Sequence, residues 1–480
     1  MEENTFFIRI ASPVHIGCDE VYEPTGFVLN EESGTLTAFE PMDFFKNLAP
    51  QDKSRYAAIC GKGSVESILE LYKFMKGKRF DGHVVRVCKG LVSHYQKTLA
   101  ISPNDRKKIQ QELNNFSISR TAFNPITQKP YIPGSAIKGA LRTAYLNFLS
   151  ASNKVSLDRR DKSPANTLEK SLLEYQKLEN DPFRLLKVSD FHPIGPCATR
   201  VCYAVNAKKT PSKFEARGPF QILEVIELGT VFTGTIQVLQ PIARDVIKTP
   251  LSDEKVFQSA RFFFDKEKKR ENEELKLAGL PVSNALPDDD LITLRVGRHS
   301  GAESLTVEGY RHIKIMKKRG ERPDFQQKAT TFWLAADVSD RKTAQSLETF
   351  GWASLGRLTE SLRDDLTALE RSQEKAVSQD APSSAMNPPS KSAAPAPPPP
   401  VEEVWENAYV SFNAGSGGVV SAKSADKKSA EIRGKERAQA VVSESLNKKL
   451  FYGKKTLPQA RVTVRKAGNA WEIVKIEPVG

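Results

Sequence analysis

Tyr131-Ile-Pro-Gly-Ser-Ala-Ile-Lys-Gly-Ala-Leu-Arg142 joins a proline-bounded turn to the start of a helix. Pro125, Pro130 and Pro133 punctuate the approach over Thr121–Pro133, and prolines of this density mark turns. Ile137, Leu141, Ala144, Tyr145 and Phe148 then recur at i, i+4, i+7, i+8 and i+11, the stripe of an amphipathic helix. Ser135 is placed to cap it. Pro133 and Gly134 make a tight entry, and Gly139 lets another backbone come close. Free N–H groups in a first helical turn, together with the helix dipole, attract phosphate. Lys138 and Arg142 are four residues apart and share one helix face. The stretch is not a nucleotide P-loop, because Ala140 and Leu141 follow Gly139 and no hydroxyl is placed for magnesium. Spacing alone admits either a phosphate-holding loop or a plain turn with two surface cations.

Upstream of this stretch, Thr5–Ile10 is β-branched and aromatic and reads as a buried strand, ended by Pro13 and Gly17. Phe27–Leu29 and Thr35–Phe39 flank Glu-Glu-Ser-Gly as a hairpin. Residues 50–115 are rich in helix formers and charges and read as a helical insertion. Downstream, Phe220–Glu227 and Val231–Val238 alternate around Leu-Gly-Thr, which suggests a second hairpin. Phe257–Leu277 carries a dense charge run and reads as a second helical insertion. Gln373–Pro400 is Ser, Ala and Pro-rich and ends in four prolines, the composition of an extended linker. Beyond it, Arg461–Lys466 and Ala470–Ile476 form a hairpin pattern. Trp405, Tyr409, Phe412, Phe451 and Trp471 are its candidate core, and Lys448, Lys449, Lys454, Lys455, Arg461 and Arg465 its candidate surface.

The chain has 480 residues and a formal net charge of +13. That length suits two or three domains, and that charge favours a polyanionic partner, nucleic acid before membrane. Five scattered cysteines argue for a reducing compartment over a disulfide framework. The start Met-Glu-Glu-Asn is no signal peptide, and no apolar run approaches the ~20 residues of a membrane helix. The expectation is a soluble, cytoplasmic protein with no membrane partner.

The glycine-rich stretch resembles that of the RAMP superfamily, the repeat-associated RNA-binding proteins of CRISPR systems. Pro130–Arg142 matches the family pattern almost throughout, with Ala136 where a second Ser is usual. Ser12-Pro-Val-His-Ile-Gly17 resembles the family's first-strand motif, and Tyr22-Glu-Pro with Phe27-Val its following hairpin. Val188-Ser-Asp190 resembles the start of its second half, and Glu227-Leu-Gly-Thr-Val-Phe-Thr-Gly234 a later strand–turn–strand. Arg295-Val-Gly-Arg-His-Ser-Gly-Ala-Glu303 and Phe350-Gly-Trp352 resemble one branch, the fifth subunit of the type III-A Csm complex. The resemblance spans residues 5–355 and leaves the C-terminal segment without a family reading.

The resemblance implies an α+β fold of two RRM-like (ferredoxin-like) units with helical insertions. The expected division is residues 1–150 and 151–365 for these units, a linker over 366–400, and a small β-rich accessory domain over 401–480. It also implies a non-catalytic RNA-binding subunit at the head of the complex. Such a subunit caps the guide filament near its 3′ end, contacts crRNA and target RNA backbones, binds other Csm subunits and supports 3′-end maturation by recruited host exonucleases.

Arg295, Arg298, His299, Arg311, Lys314, Lys317, Lys318 and Arg319 cluster within one stretch. They suit phosphate contacts as well as a solvated charged face. With Gly134, Ser135, Lys138, Gly139 and Arg142, the candidate RNA-binding residues are therefore His15, Arg295, Arg298, His299 and Arg311. A rival class is a RAMP-type endoribonuclease that processes CRISPR repeat RNA with His15, His299 or His312 as acid–base, against which a histidine near a core strand is more often a packing residue. His192-x4-Cys197-x4-Cys202 lacks the paired-cysteine spacing of a zinc site, so neither metal nor cofactor is expected.

Overall fold

A computed structural model describes residues 4–78, 81–158, 161–212, 216, 218–241, 246–282, 290–317, 320–379, 402–413, 419–424, 426, 428–433, 435–453, 456–467 and 470–479. The chain divides into two compact units, Met1–Pro382 and Ser383–Gly480.

In the first unit, one sheet runs in the order Ile292–Arg295, Trp352–Arg357, Thr5–Ile10, Val231–Val238, Leu186–Val188. Its pairings are antiparallel. Phe6, Ile8 and Ile10 point to one face and meet Ile137, Leu141, Ala144, Phe263 and Phe264 of the helices Gly134–Ser152 and Asp253–Leu277. Taken in chain order these elements run strand, helix, strand, strand, helix, strand, strand. Phe7 points to the other face, where it joins Val231, Leu358 and Leu366. On that second face Phe7 is covered while Arg9 is exposed.

A second sheet runs in the order Gly17–Val21, Ile118–Thr121, Gln221–Ile226, Thr199–Lys208, His83–Val87, Thr35–Ala38, Phe27–Asn30, with Thr331–Ala336 also on Thr199–Lys208. It carries the helices Pro50–Gly61, Val65–Met75, Lys89–Leu99 and Arg106–Asn115 over a core that includes Phe27, Tyr72, Tyr95, Phe116 and Tyr203. The expected helical insertion is thus interrupted by the strand His83–Val87, whose short His-Val-Val-Arg-Val alternation lies between helix signals.

Both sheets take strands from both sides of residue 150, so the sequential division at that point does not separate them. The Gln221–Ile226 and Val231–Val238 strands exist but do not pair with each other. The first lies between Thr199–Lys208 and Ile118–Thr121, the second beside Thr5–Ile10. Each is buried enough to need partners on both edges, and Gly229, at φ +87°, lets the chain turn from one sheet to the other. Phe257–Leu277 belongs to a long core helix rather than an insertion. The helix Glu360–Gln379 takes in the first part of the expected linker, 366–379; its remainder, 380–400, lies outside the described residues.

The glycine-rich stretch starts its helix differently from the capping expectation. Pro133 is the N-cap and no side chain of the helix caps it. Asp190 serves instead: the Gly134 N–H donates to its Oδ1 at 2.8 Å, a carboxylate at the positive end of the helix dipole. Ile137, Leu141, Ala144 and Tyr145 are buried, while Phe148, at the end of the expected stripe, is 40% exposed.

In the second unit, Glu402–Asn413, Val419–Lys423, Ser429–Arg433, Ala470–Glu477 and Thr456–Ala467 close into a barrel in that order. Trp405, Phe412 and Phe451 lie in its core. Tyr409 does not, being 46% exposed: Ala408, Val410 and Phe412 point inward, so the strand's period of two sends Tyr409 outward.

The two glycines of the loop have opposite structural roles. A Cβ on Gly134 would meet the carbonyl oxygens of Val188 and Ser189, the latter at 2.6 Å, whereas one on Gly139 meets nothing within 4 Å. Gly134→Ala should lower the melting temperature markedly. Gly139→Ala should leave it unchanged or raise it, since Ala is favoured over Gly in a helix interior by about 1 kcal/mol. Equal destabilisation by the two substitutions, read by thermal melts, would contradict this placement.

Candidate nucleic-acid interface

A ladder of hydrogen bonds connects the glycine-rich loop to the arginine-rich segment. Gly134 N–H reaches Asp190; Ile132 and Phe191 exchange backbone bonds at 3.0 and 2.9 Å; Tyr131 N–H donates to Ala122 O at 3.0 Å; Ala122 N–H donates to Ile16 O at 2.7 Å; and Arg298 N–H donates to His15 O at 2.8 Å. Gly297 at φ +85° and His299 at φ +63° turn the chain here, and a Cβ on Gly297 would meet His15 O at 2.6 Å. Asp19, also at positive φ, faces Arg298 across 3.9 Å, with side chains 96% and 56% exposed respectively.

The cations of this region fall into two groups. Arg295 is 3% exposed. Its Nη2 pairs with Glu271 at 2.6 Å, its Nε donates to Phe350 O, and its guanidinium lies 4.5 Å from the Trp352 ring centre. Arg311 is 5% exposed and pairs with Glu267 at 2.8 Å. Both are consumed inside the fold by carboxylates of the Asp253–Leu277 helix, so they are not surface cations. Arg298, Lys314 and Lys317 are exposed; Lys318 and Arg319 lie outside the described residues.

The same division holds on the glycine-loop helix. Arg142 bonds Glu169 at 2.9 Å, Asp181 at 3.0 Å and the Tyr175 hydroxyl, and lies over Phe183. Sequence spacing placed it on a common face with Lys138, but its acidic partners come from the helix Pro164–Leu172 and from the turn at Asp181, which spacing does not reveal. Lys138 Nζ donates to Leu186 O at 2.8 Å, and an ammonium has three donors. Burial lowers its pKa, helped by Lys187 and Arg142 and opposed by Asp181. Ser135 and Gly139 are exposed.

The three candidate histidines differ in depth: His15 is buried, His299 half-buried and His312 exposed. His15 is fully buried and its Nδ1–H donates to Glu224 O at 2.8 Å. Burial lowers its pKa, against the carbonyl bond that raises it and with Arg298 lowering it further. His299 packs on Trp333 and Phe350 with ring centres 4.5 and 5.2 Å away. Burial, then the charges of His15 and Arg298, push its pKa down to about 4. His312 stacks on Phe325 at 4.1 Å. Asp190, the group that latches the loop, stood in a recognised motif, but its role had no local signal because its partner is 56 residues away.

A model of the RAMP superfamily matches residues 7–291, and the chain belongs to that superfamily. A chain from the cryo-EM structure of a Csm–crRNA–target RNA ternary complex of a type III-A CRISPR-Cas system is similar at 18% identity and TM-score 0.44. That match covers 74% of this chain and 100% of the other. The crystal structure of T. onnurineus Csm5 is similar at 16% identity and TM-score 0.40, covering 61% of this chain and 89% of the other. No curated protein matches the chain. Among the described residues no helix is long and apolar enough to cross a membrane.

Two predictions follow from the burial of these groups. Arg295→Ala leaves Glu271 buried without its cation and should cost about 3–5 kcal/mol of stability in urea titration, whereas Arg298→Ala should cost almost none. Comparable losses for the two would refute the division between interior and surface arginines. His299 is neutral in the folded chain down to pH ~4 but protonates near pH 6.5 when unfolded. The unfolded state therefore binds more protons between those values, and stability falls as pH drops through that window. His299→Gln should flatten the dependence of unfolding free energy on pH between 6.5 and 4; an unchanged slope would show that this ring does not carry it.

Proposed function

We propose that the chain is a non-catalytic RNA-binding subunit of a type III-A CRISPR (Csm) effector complex. In this reading it caps the guide filament at the 3′ end of the crRNA, contacts crRNA and target RNA, binds other Csm subunits, and supports crRNA maturation by recruited host 3′ exonucleases. The observation that carries the reading is the glycine-rich loop Pro130–Arg142, present in a RAMP-superfamily chain and latched to the next strand by Asp190. The charge of +13 and the motifs shared with the fifth Csm subunit support the same assignment. We read the first sheet and its two helices as one ferredoxin-like unit, since Thr5–Ile10, Gly134–Ser152, Leu186–Val188, Val231–Val238, Asp253–Leu277 and Trp352–Arg357 run strand–helix–strand–strand–helix–strand, with Ile292–Arg295 added at the sheet edge. The second sheet is then the other such unit, and Ser383–Gly480 the accessory domain.

The RNA backbone passes over Ser135 and Gly139, with Lys138 and Arg298 as the cations that meet phosphates. Gly139 has open space where its side chain would be, which a backbone can occupy. Arg142, Arg295, Arg311, His15 and His299 act behind that surface by holding its loops. The endoribonuclease alternative needs an acid–base group that reaches a phosphodiester; His15 is fully buried, His299 is half-buried, and of its three candidates His312 is the exposed one.

Purified chain should bind repeat-containing RNA without cutting it, with or without divalent metal. Log affinity should fall linearly with log salt, because phosphate contacts release counterions. Lys138→Ala and Arg298→Ala should each reduce that slope by ~0.7 to 1, and Gly139→Val should weaken binding without lowering the melting temperature. Site-specific cleavage, or a slope unmoved by both cation variants, would overturn the assignment.

A further inference from the structure

The second unit closes in the order first, second, third, fifth, fourth strand. Its third and fifth strands are parallel, pairing Ala430 with Trp471 and Glu431 with Glu472. The connection from third to fourth strand carries the helices Lys435–Val441 and Glu444–Asn447. This is the Greek-key barrel of the OB-fold, whose ligands lie across the face of the second and third strands. A fold does not select its ligand; the side chains on that face do.

On the first three strands, Ala408, Val410, Phe412, Val420, Ala422, Ala430 and Ile432 fill the barrel. The alternate positions therefore form its outer face, and the register aligns them in two rows. Tyr409 lies opposite Lys423, and Lys423 opposite Ser429. Ser411 lies opposite Ser421, and Ser421 opposite Glu431, with the Ser421 hydroxyl donating to Glu431 at 3.4 Å. Small hydroxyl side chains around Tyr409 leave its ring standing proud, at 46% exposure. Exposed Lys423 is its cross-strand neighbour. Across residues 401–480, lysines and arginines outnumber aspartates and glutamates.

We propose that this face is a binding site for single-stranded nucleic acid, separate from the surface on the first unit. A base stacks on Tyr409, Lys423 meets the adjoining phosphate, and Ser411, Ser421 and Glu431 offer hydrogen-bond partners to base edges. A flat ring beside a cation is the combination that holds single strands with little sequence preference. A peptide or a sugar gains from the ring but not from an unmatched positive field; a polyanion gains from both.

The test uses the full chain and an oligouridylate of about 12 nucleotides, within the site size of an OB barrel, carrying 4-thiouridine for photocrosslinking. Crosslinked peptides are mapped by mass spectrometry. Peptides from residues 402–433 should crosslink. Tyr409→Ala should reduce that yield about tenfold, Tyr409→Phe should preserve it because the stacking face remains, and Lys423→Glu should reduce it while crosslinks to Met1–Pro382 persist. Tyr409 is outside the core, so these variants should fold, which their melting curves report. Absence of crosslinks to 402–433, or equal yield from Tyr409→Ala, overturns the inference. If the oligonucleotide leaves these peptides untouched while Tyr409→Ala abolishes retention of a protein subunit in the assembled complex, the face serves a protein and the inference is wrong. Crosslinks confined to 402–433 with none on the first unit would instead count against the function proposed above while supporting this site.

Discussion

The buried, non-repetitive segment Ser12–Ile16 is the constraint on which the first unit depends. It carries the chain from one sheet to the other, and irregular backbone in an interior must find partners for its polar groups. Ala11 and Ser12 donate to Trp352 O, and Ser12 Oγ accepts from Trp352 N at 2.9 Å. Pro13 O accepts from Gly351 and His15 O from Arg298, while Val14 and Ile226 exchange two bonds. Ile16 N–H is met by Thr121 Oγ1, and the His15 ring by Glu224 O. Four distant parts of the chain are thereby held at one place. The glycine-rich loop and the Gly297–Ser300 turn inherit their positions from it.

Charge is organised around the same point. Arg311, Glu267, Arg270, Glu274, Lys209 and Glu303 form linked ion pairs beneath the surface, and Arg295 and Glu271 a further pair. Such pairs compensate each other's desolvation, and removing one member strands the other. Their role is to hold the Asp253–Leu277 helix against the edge of the sheet and so to aim Arg298 and its loop outward. A basic stretch in the sequence is thus split by depth into cations that build the fold and cations that face solvent.

The family loop was legible because its information is local: proline fixes the entry, glycine the tight approach, and an apolar stripe the helix that follows. Core strands such as Thr5–Ile10 and the aromatic interior of the barrel were legible for the same reason. What misled was pairing. Gln221–Ile226 and Val231–Val238 have the alternation and the turn of a hairpin, yet each finds better partners in a different sheet. Tyr409 has the chemistry of a core residue, and only the inward setting of Ala408, Val410 and Phe412 shows that it faces out.

By itself, the sequence determined many of the helices and strands and the basic character that suits a polyanion, since these follow from periodicity, turn chemistry and composition, and its motifs carried the resemblance to the superfamily. The tertiary structure alone decided which cations are free. Arg142 is held by Glu169 and Asp181, Arg295 by Glu271, and Gly134 by Asp190, across separations of 27, 39, 24 and 56 residues. No local pattern encodes a partner at such distances, because the energy that selects it is released only when burial brings the two charges out of water together.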